Sequence, residues 1–237
     1  KTAFSNIFNT LSLEDFRKNP NIHMRERYFE LVKPLNIDFF DTELNFNPPK
    51  SKIEKVEKFL FDNNIDMNND IIVGINPVTG FKSKYWLNER WAKIADYLIE
   101  YKKAKVILTY GNDKDQLETC IDIMNKMKQR PTLSFKTDLL EFGALINKLN
   151  LMICLDSGPF HFAVSIGIPT ISLWGRGNIK QWGIISKKHI LINKAISCSP
   201  CEKFDCDNLE CMNSILIDDV VEAINKIFPS IYKLKHG

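Results

Sequence analysis

Apolar residues follow two different spacings along this chain. Runs of consecutive Ile, Val and Leu, such as those at 71–75 and 151–155, are typical of buried strands. Between such runs, apolar residues recur every three or four positions, as at 87–101 and 218–228, which predicts helices. Further strands are predicted at 105–110, 131–135, 169–175 and 189–193, and further helices at 51–64, 117–128, 138–149 and 159–167. Buried strands that alternate with helices predict an α/β fold, in which helices cover both faces of a parallel sheet.

The first fifty residues are organised differently. A predicted helix at 24–35 and a short strand at 35–40 precede a loop that ends in two prolines, at positions 48–49. The regular alternation of strands and helices begins only after these prolines. We therefore predict a short N-terminal part, residues 1–50, and one larger α/β domain, residues 51–237.

Three polar loops follow predicted strands, at 76–86, 111–116 and 156–161. The carboxyl ends of parallel strands meet at one edge of a sheet, and such sheets bind their ligands there. The sequence therefore predicts a ligand site built from these three loops.

The first loop carries two lysines, Lys82 and Lys84, close to the start of a helix. Ammonium groups beside free N–H groups at a helix start can bind an anion such as a diphosphate. The alternative is that both lysines are solvated loop residues, which is the common situation for lysine.

Acidic and small residues dominate the other two loops. Asn112, Asp113 or Asp115 can cap the following helix, and either acid can instead accept hydrogen bonds from the hydroxyls of a ribose or another sugar. In the third loop, Asp156, Ser157, Gly158 and His161 surround a helix start, where backbone N–H groups are available. This group is interpreted either as a capped helix start or as a ligand site. A nucleophilic serine is disfavoured because the pattern is not G-x-S-x-G.

Four cysteines cluster near the C-terminus with the spacing C-x2-C-x4-C-x4-C, namely Cys198, Cys201, Cys206 and Cys211. Four thiolates can hold a structural zinc ion, although only the first pair has the spacing of a zinc knuckle. A loop of reduced thiols, or one closed by a disulfide, is the alternative.

Composition narrows the function classes. The chain of 237 residues has 44% hydrophobic and 26% charged residues, as in an ordinary globular protein. The net charge of +3 is spread widely, which argues against nucleic-acid binding. The sequence shows neither a signal peptide nor an apolar run of about 20 residues, so we expect a cytoplasmic protein without a membrane span. It begins with Lys1 rather than Met, which suggests a fragment or a processed chain.

Together these loops resemble the donor-binding half of glycosyltransferase family nine, the bacterial heptosyltransferases of lipopolysaccharide core synthesis. INPVTGFKSKYW resembles the family's loop that ends in Lys-x-Trp, here Lys84 and Trp86, and VILTYGNDKDQLE resembles its Gly-led acidic loop. The segment at 155–183 resembles the signature Asp-Ser-Gly-x-x-His with its downstream helix and strand, and CSPCEKFDC resembles a cysteine-bearing segment of many members. The resemblance covers about residues 70–226, and residues 21–37 resemble the end of the family's N-terminal domain.

The resemblance implies a GT-B fold, in which two Rossmann-like domains face a cleft and the C-terminal one binds a nucleotide-sugar such as ADP-heptose. Lys84 would neutralise the diphosphate, and Asp113 would contact the nucleotide. Asp156, Ser157, Gly158 and His161 would hold the diphosphate and the sugar. The acceptor would be a lipopolysaccharide-core or related glycan, reached at the cytoplasmic face of the inner membrane by peripheral association. No metal is required for transfer.

One departure from the family concerns the catalytic base, an aspartate near the start of the family's N-terminal domain. No matching segment is present in this sequence, so we expect weak donor binding and no turnover by this chain alone. The alternative is a non-catalytic nucleotide-sugar-binding module. A dinucleotide-dependent oxidoreductase is disfavoured because the strand at 71–75 is followed by NPVTG rather than G-x-G-x-x-G.

Overall fold

The computed structural model describes residues 21–32, 46–201, 203 and 205–236. Within these ranges, six strands form one parallel sheet in the order β3-β2-β1-β4-β5-β6. The strands are β1 (Ile72–Asn76), β2 (Lys105–Leu108), β3 (Thr132–Leu133), β4 (Leu151–Leu155), β5 (Thr170–Trp174) and β6 (His189–Asn193). The predicted α/β fold is confirmed. The strand order reverses between β1 and β4, and this switch point is where open α/β sheets bind ligands. The strand predicted at 35–40 lies outside the described residues.

The described helices are α1 (Met24–Val32), α2 (Lys50–Asp62), α3 (Asn88–Lys102), α4 (Lys114–Lys126), α5 (Leu139–Ile146), α6 (Gly158–Ile166), α7 (Ile179–Trp182), α8 (Glu210–Asn213) and α9 (Ile217–His236). Helix α3 packs against α4 and α9, while α5 packs against α2 and α6. None of these helices is long and apolar enough to cross a membrane.

Both faces of the sheet are covered. Val73 and Ile75 of β1 belong to a buried cluster that includes Trp91 of α3 and Phe228 of α9. The residue between them, Gly74, faces the opposite side, where an added Cβ would lie 2.4 Å from Leu149 Cδ1. Close packing on both sides explains why the strands are continuous apolar runs rather than alternating ones.

The last helix is longer than the sequence predicts. We expected it to end at residue 228, before Pro229, but α9 continues through that proline to His236. Proline removes one hydrogen bond from the helix, which usually ends or bends it. Here the apolar face extends beyond the proline, because Ile231 is 2% exposed within the main buried cluster. Burial of this extra turn offsets the lost hydrogen bond.

The chain divides into two compact units. One comprises residues 1–42 with 178–183, and the other comprises residues 43–177 with 184–237 and contains the whole sheet. The predicted boundary between residues 50 and 51 stays a prediction. Every residue of the candidate site belongs to the second unit.

Candidate functional site

A cavity of about 470 Å³ lies at the carboxyl ends of β1, β2 and β4. Its walls come from the loops that follow these three strands and from the start of α5. The size is within the range of sites for small ligands, about 300–1,000 Å³. The three polar loops that the sequence singles out are therefore brought together around one space at the switch point of the sheet.

A buried ion pair joins the first loop to the third. Lys84 ends a short 3-10 turn, and its Nζ lies 2.7 Å from Asp156 Oδ2. The same ammonium group donates to the backbone oxygen of Asp156 at 2.9 Å. The two side chains are 17% and 8% exposed, whereas Lys82 on the same turn is exposed to solvent. Lys84 is thus a fixed positive charge on the cavity wall.

A glycine outside the three loops makes room for this ion pair. Gly177 follows β5, and a Cβ added there would lie 2.1 Å from Asp156 Oδ2 and 3.1 Å from Trp174 Cε3. Only a hydrogen in place of a side chain lets the carboxylate keep its position beside Lys84. The sequence pattern does not indicate this residue, because the contact joins two segments that follow different strands.

A second contact missed from the sequence holds the first loop in place. The Phe81 ring centroid lies 5.6 Å from Lys84 Nζ and 5.6 Å from Arg176 Cζ, so the ring has a cation–π contact with each. Arg176 Nη1 also donates to Ser83 Oγ at 3.2 Å. The loop that carries Lys84 is therefore tied to the segment after β5.

The start of α6 faces the cavity. Ser157, Gly158 and Pro159 all line it, and Pro159 lies in the first turn of the helix, as expected for a residue without an N–H group. The Ser157 hydroxyl donates back to Leu155 O at 3.2 Å instead of capping the helix. Backbone N–H groups at this nine-residue helix start, together with the helix dipole, favour an anion in the cavity.

Two residues of the predicted donor site lie away from the cavity lining. Asp113 is exposed and caps α4, since its Oδ1 accepts from Asp115 N at 3.1 Å. His161 packs edge-on against Phe160, with ring centroids 5.0 Å apart. The loop that carries Asp113 instead presents its neighbours Asn112 and Gln116 to the cavity. The structure thus brings Lys84 together with residues 156–158, and it leaves Asp113 and His161 outside the wall.

The opposite wall carries a second group of charges. Asp138 lines the cavity and forms a capping box with Glu141 at the start of α5. Lys52 of α2 contacts both carboxylates, and Lys55 lies 2.9 Å from Glu141 Oε1. Hydrogen bonds from Lys55, from the Asp138 backbone and from Lys52 lower the pKa of Glu141 to about 2. These ion pairs join α2 to α5 beside the cavity.

Comparison with known proteins decides the family. Residues 6–212 match glycosyltransferase family 9 (heptosyltransferase). The chain belongs to this family. Among the relatives, lipopolysaccharide heptosyltransferase 3 of Escherichia coli K12 is 28% identical over 210 residues, which are 87% of this chain and 60% of that protein.

Solved structures of glycosyltransferase family 9 and related enzymes have the same fold. A family 9 glycosyltransferase from Veillonella parvula superposes with a TM-score of 0.81 at 22% identity and covers 96% of this chain and 65% of that one. The E. coli heptosyltransferase WaaC with ADP has a TM-score of 0.62 at 16% identity, over 87% of this chain and 57% of that one. This chain thus spans about 60% of the length of the curated relatives that it matches.

The four cysteines of the C-terminal segment differ in their burial. Over the part of the chain that the structure describes, no three His, Cys, Asp or Glu side chains are grouped so as to hold a metal ion. Cys198 is exposed, while Cys211 is buried against Gly175, and burial raises the pKa of its thiol. All four cysteines are free thiols.

Proposed function

We propose that this family 9 chain binds the diphosphate of a nucleotide-sugar donor between Lys84 and the start of α6. The observation that supports it is a fixed ammonium group and a helix N-terminus on the same cavity at the switch point of the sheet. A diphosphate brought there would accept hydrogen bonds from Lys84 and from backbone N–H groups, and charge-assisted bonds of this kind are among the strongest. Asp156 acts by holding Lys84 in place.

The rest of the donor would extend along the apolar part of the same cavity. Val78, Tyr110, Leu139 and Phe142 provide surfaces for a nucleobase, and Asn112, Gln116 and Thr137 provide polar groups near them. A mostly apolar pocket with a few polar groups is typical of small-molecule sites. Since WaaC, a protein of the same fold, was solved with ADP, we propose an ADP-type donor, with heptose as the sugar.

The reaction we propose is transfer of the sugar to a lipopolysaccharide-core or related glycan acceptor. An acceptor hydroxyl attacks the anomeric carbon, a base takes its proton, and the nucleotide diphosphate leaves. Lys84 and the start of α6 would stabilise the negative charge that develops on the leaving diphosphate.

The base would come from another part of the enzyme. Among the described residues, the carboxylates that line the cavity are Asp138 and Asp156, and each is already paired with a lysine. This observation also favours a second candidate function, a non-catalytic nucleotide-sugar-binding module. Product formed by the 237-residue chain from ADP-heptose and a lipopolysaccharide-core acceptor would contradict the binding module, whereas donor affinity without product agrees with the module and with a base that lies elsewhere.

Titration calorimetry with ADP, UDP and NAD tests the donor site. We expect ADP to bind best. Lys84→Met should lower the affinity for ADP by at least about tenfold, because it removes one charge-assisted hydrogen bond. Lys82→Met is the matched control, since this exposed lysine lies on the same turn, and its effect should be several-fold smaller. Equal effects of the two substitutions, or a preference for NAD, would contradict the proposal.

We propose that any membrane association, at the cytoplasmic face of the inner membrane, depends on the acceptor. Sedimentation with phospholipid vesicles should retain the chain only when the vesicles contain the lipopolysaccharide-core glycolipid. Equal binding to vesicles without that glycolipid would contradict this view.

Zinc binding by Cys198, Cys201, Cys206 and Cys211 stays a prediction, and we propose no catalytic role for it. Metal analysis of protein purified under reducing conditions tests it directly. One zinc per chain, lost in a Cys198→Ser variant, would support a structural site, and the absence of bound metal would contradict it.

A further inference from the structure

Asn76 lines the cavity but has no role in the function proposed above. It is the last residue of β1, between β2 and β4 at the switch point of the sheet, and it lies opposite Cys154 in the register. The residue lines the cavity although it is only 3% exposed. A polar side chain at such a place needs hydrogen-bond partners, because burial separates it from bulk water.

The orientation of the Asn76 amide is determined by Thr109. Asn76 Nδ2 donates to Thr109 O at 3.1 Å and to Thr109 Oγ1 at 3.1 Å. Thr109 Oγ1 in turn donates to Ile75 O at 3.3 Å. A backbone oxygen can only accept a hydrogen bond, so the amide nitrogen has to face Thr109. The amide oxygen therefore points away from that contact.

That oxygen is buried. Among the described residues, none donates a hydrogen bond to Asn76 Oδ1. Buried polar atoms in folded proteins are nearly always hydrogen-bonded, and an unpaired one is costly. Because Asn76 lines the cavity, a ligand in the cavity is well placed to supply the missing donor.

The chemistry of Asn76 Oδ1 limits which ligand groups can donate a hydrogen bond to it. A carbonyl oxygen accepts only from an O–H or N–H group, and ionised phosphate oxygens offer neither. The ammonium group of Lys84 has three N–H donors; two are bonded to Asp156, and the proposed function assigns the third to the diphosphate. We propose that Asn76 Oδ1 accepts a hydrogen bond from a sugar hydroxyl of the bound donor, and that Asn76 is a specificity-determining residue. This inference rests on the proposed donor function. The hydroxyl belongs either to the ribose or to the transferred sugar.

The test compares ligands that differ by one hydroxyl group or one sugar. Calorimetry of the 237-residue chain uses ADP, 2′-deoxy-ADP, 3′-deoxy-ADP and ADP-heptose, with wild type and Asn76→Leu. A ribose contact predicts that Asn76→Leu weakens ADP by about tenfold, or about 1.4 kcal/mol, and leaves one of the two deoxy analogues unaffected. A contact with the transferred sugar predicts that Asn76→Leu weakens only ADP-heptose by that factor.

Two further variants control for the fold and for nonspecific effects. Asn68→Leu makes the same change at an exposed residue that is not part of the cavity lining, and it should not alter discrimination between the ligands. Thr109→Val removes one of the two groups that orient the Asn76 amide. It should reduce discrimination between ligands with and without the contacted hydroxyl, by a smaller factor than Asn76→Leu does. Thr109→Val is also the variant to rely on if Asn76→Leu does not fold, as judged by thermal melting.

Several outcomes would overturn the inference. One is that Asn76→Leu weakens all four ligands by the same factor, and another is that it weakens none of them, in which case the oxygen is satisfied by water. Unchanged discrimination in Thr109→Val would also contradict the orienting role of that residue. If wild type binds neither ADP nor ADP-heptose, the proposed donor function itself fails, which is distinct from failure at Asn76.

Discussion

Two lysine–aspartate pairs border the same cavity, and they differ in their surroundings. Lys84 and Asp156 join the first and third loops, with side chains 17% and 8% exposed. Lys52 and Asp138 join α2 to α5, with side chains 27% and 50% exposed. Removing one partner of a buried pair leaves an uncompensated charge, whereas an exposed charge is stabilised by water. The comparison indicates that burial, more than the distance between the charges, decides what each pair contributes.

The largest effect is expected from breaking the buried pair. Lys84→Met should lower the free energy of unfolding by about 3 kcal/mol, because it leaves the Asp156 carboxylate buried without a counter-charge. Urea denaturation measures the change. The double variant Lys84→Met/Asp156→Asn removes that buried charge and should recover part of the loss. A double variant less stable than Lys84→Met would contradict this explanation.

A somewhat smaller effect is expected from crowding the same pair. Gly177→Ala places a methyl group in the position of Asp156 Oδ2, and overpacking of this kind costs about 1–3 kcal/mol. Displacement of the carboxylate should also weaken ADP binding in calorimetry. Gly80→Ala is the matched control, since a Cβ there meets no atom within 4 Å. Equal stability losses in the two variants would show that Gly177 has no special role.

The ion pairs of Glu141 beside the cavity should make the stability of the protein depend on pH. The pKa of Glu141 is lowered to about 2 by Lys55, the Asp138 backbone and Lys52, so its contribution is complete above its unfolded pKa of 4.5. That contribution is lost as the pH falls toward 2. In urea denaturation, the stability difference between wild type and Glu141→Gln should therefore shrink steadily between about pH 4.5 and pH 2. A constant difference would contradict the assignment, and Glu54→Gln serves as the exposed control.

The smallest effect is expected at the exposed pair. Lys52→Met should change the melting temperature by no more than about 2 °C, because Asp138 is half exposed and keeps its cap on α5, and the buried Glu141 keeps Lys55 as its partner. Thermal melting followed by circular dichroism measures this. A shift as large as that of Lys84→Met would show that burial is not what separates the two pairs.

The sheet could be predicted from sequence because its strands are local signals. The runs at 151–155 and 189–193 coincide with β4 and β6, residue for residue. The extension of α9 past Pro229 could not be predicted, since it depends on tertiary burial of Ile231. The short helices α7 and α8 span too few residues to show a period.

The site could be predicted in part. Lys84 and Asp156 were found because each is a charged residue in a loop that follows an apolar strand. Gly177, Arg176 and Asn76 were missed, since their importance lies in contacts with distant segments. A signal for Asn76 was present, namely a polar residue that ends a buried strand. For Asp113, the structure shows the capping role that the sequence offered as one of two alternatives.

The ion pair between Lys84 and Asp156 couples ligand binding to the pairing of the central strands. The two residues lie 72 positions apart and follow strands on either side of the switch point. No single strand–helix–strand unit contains both, so the site exists only when β1 and β4 are paired. A donor that binds only this state should slow hydrogen exchange across the central strands together, by mass action. Slower exchange of backbone amides far from the ligand, including those of β6 at the sheet edge, would then measure occupancy of the site.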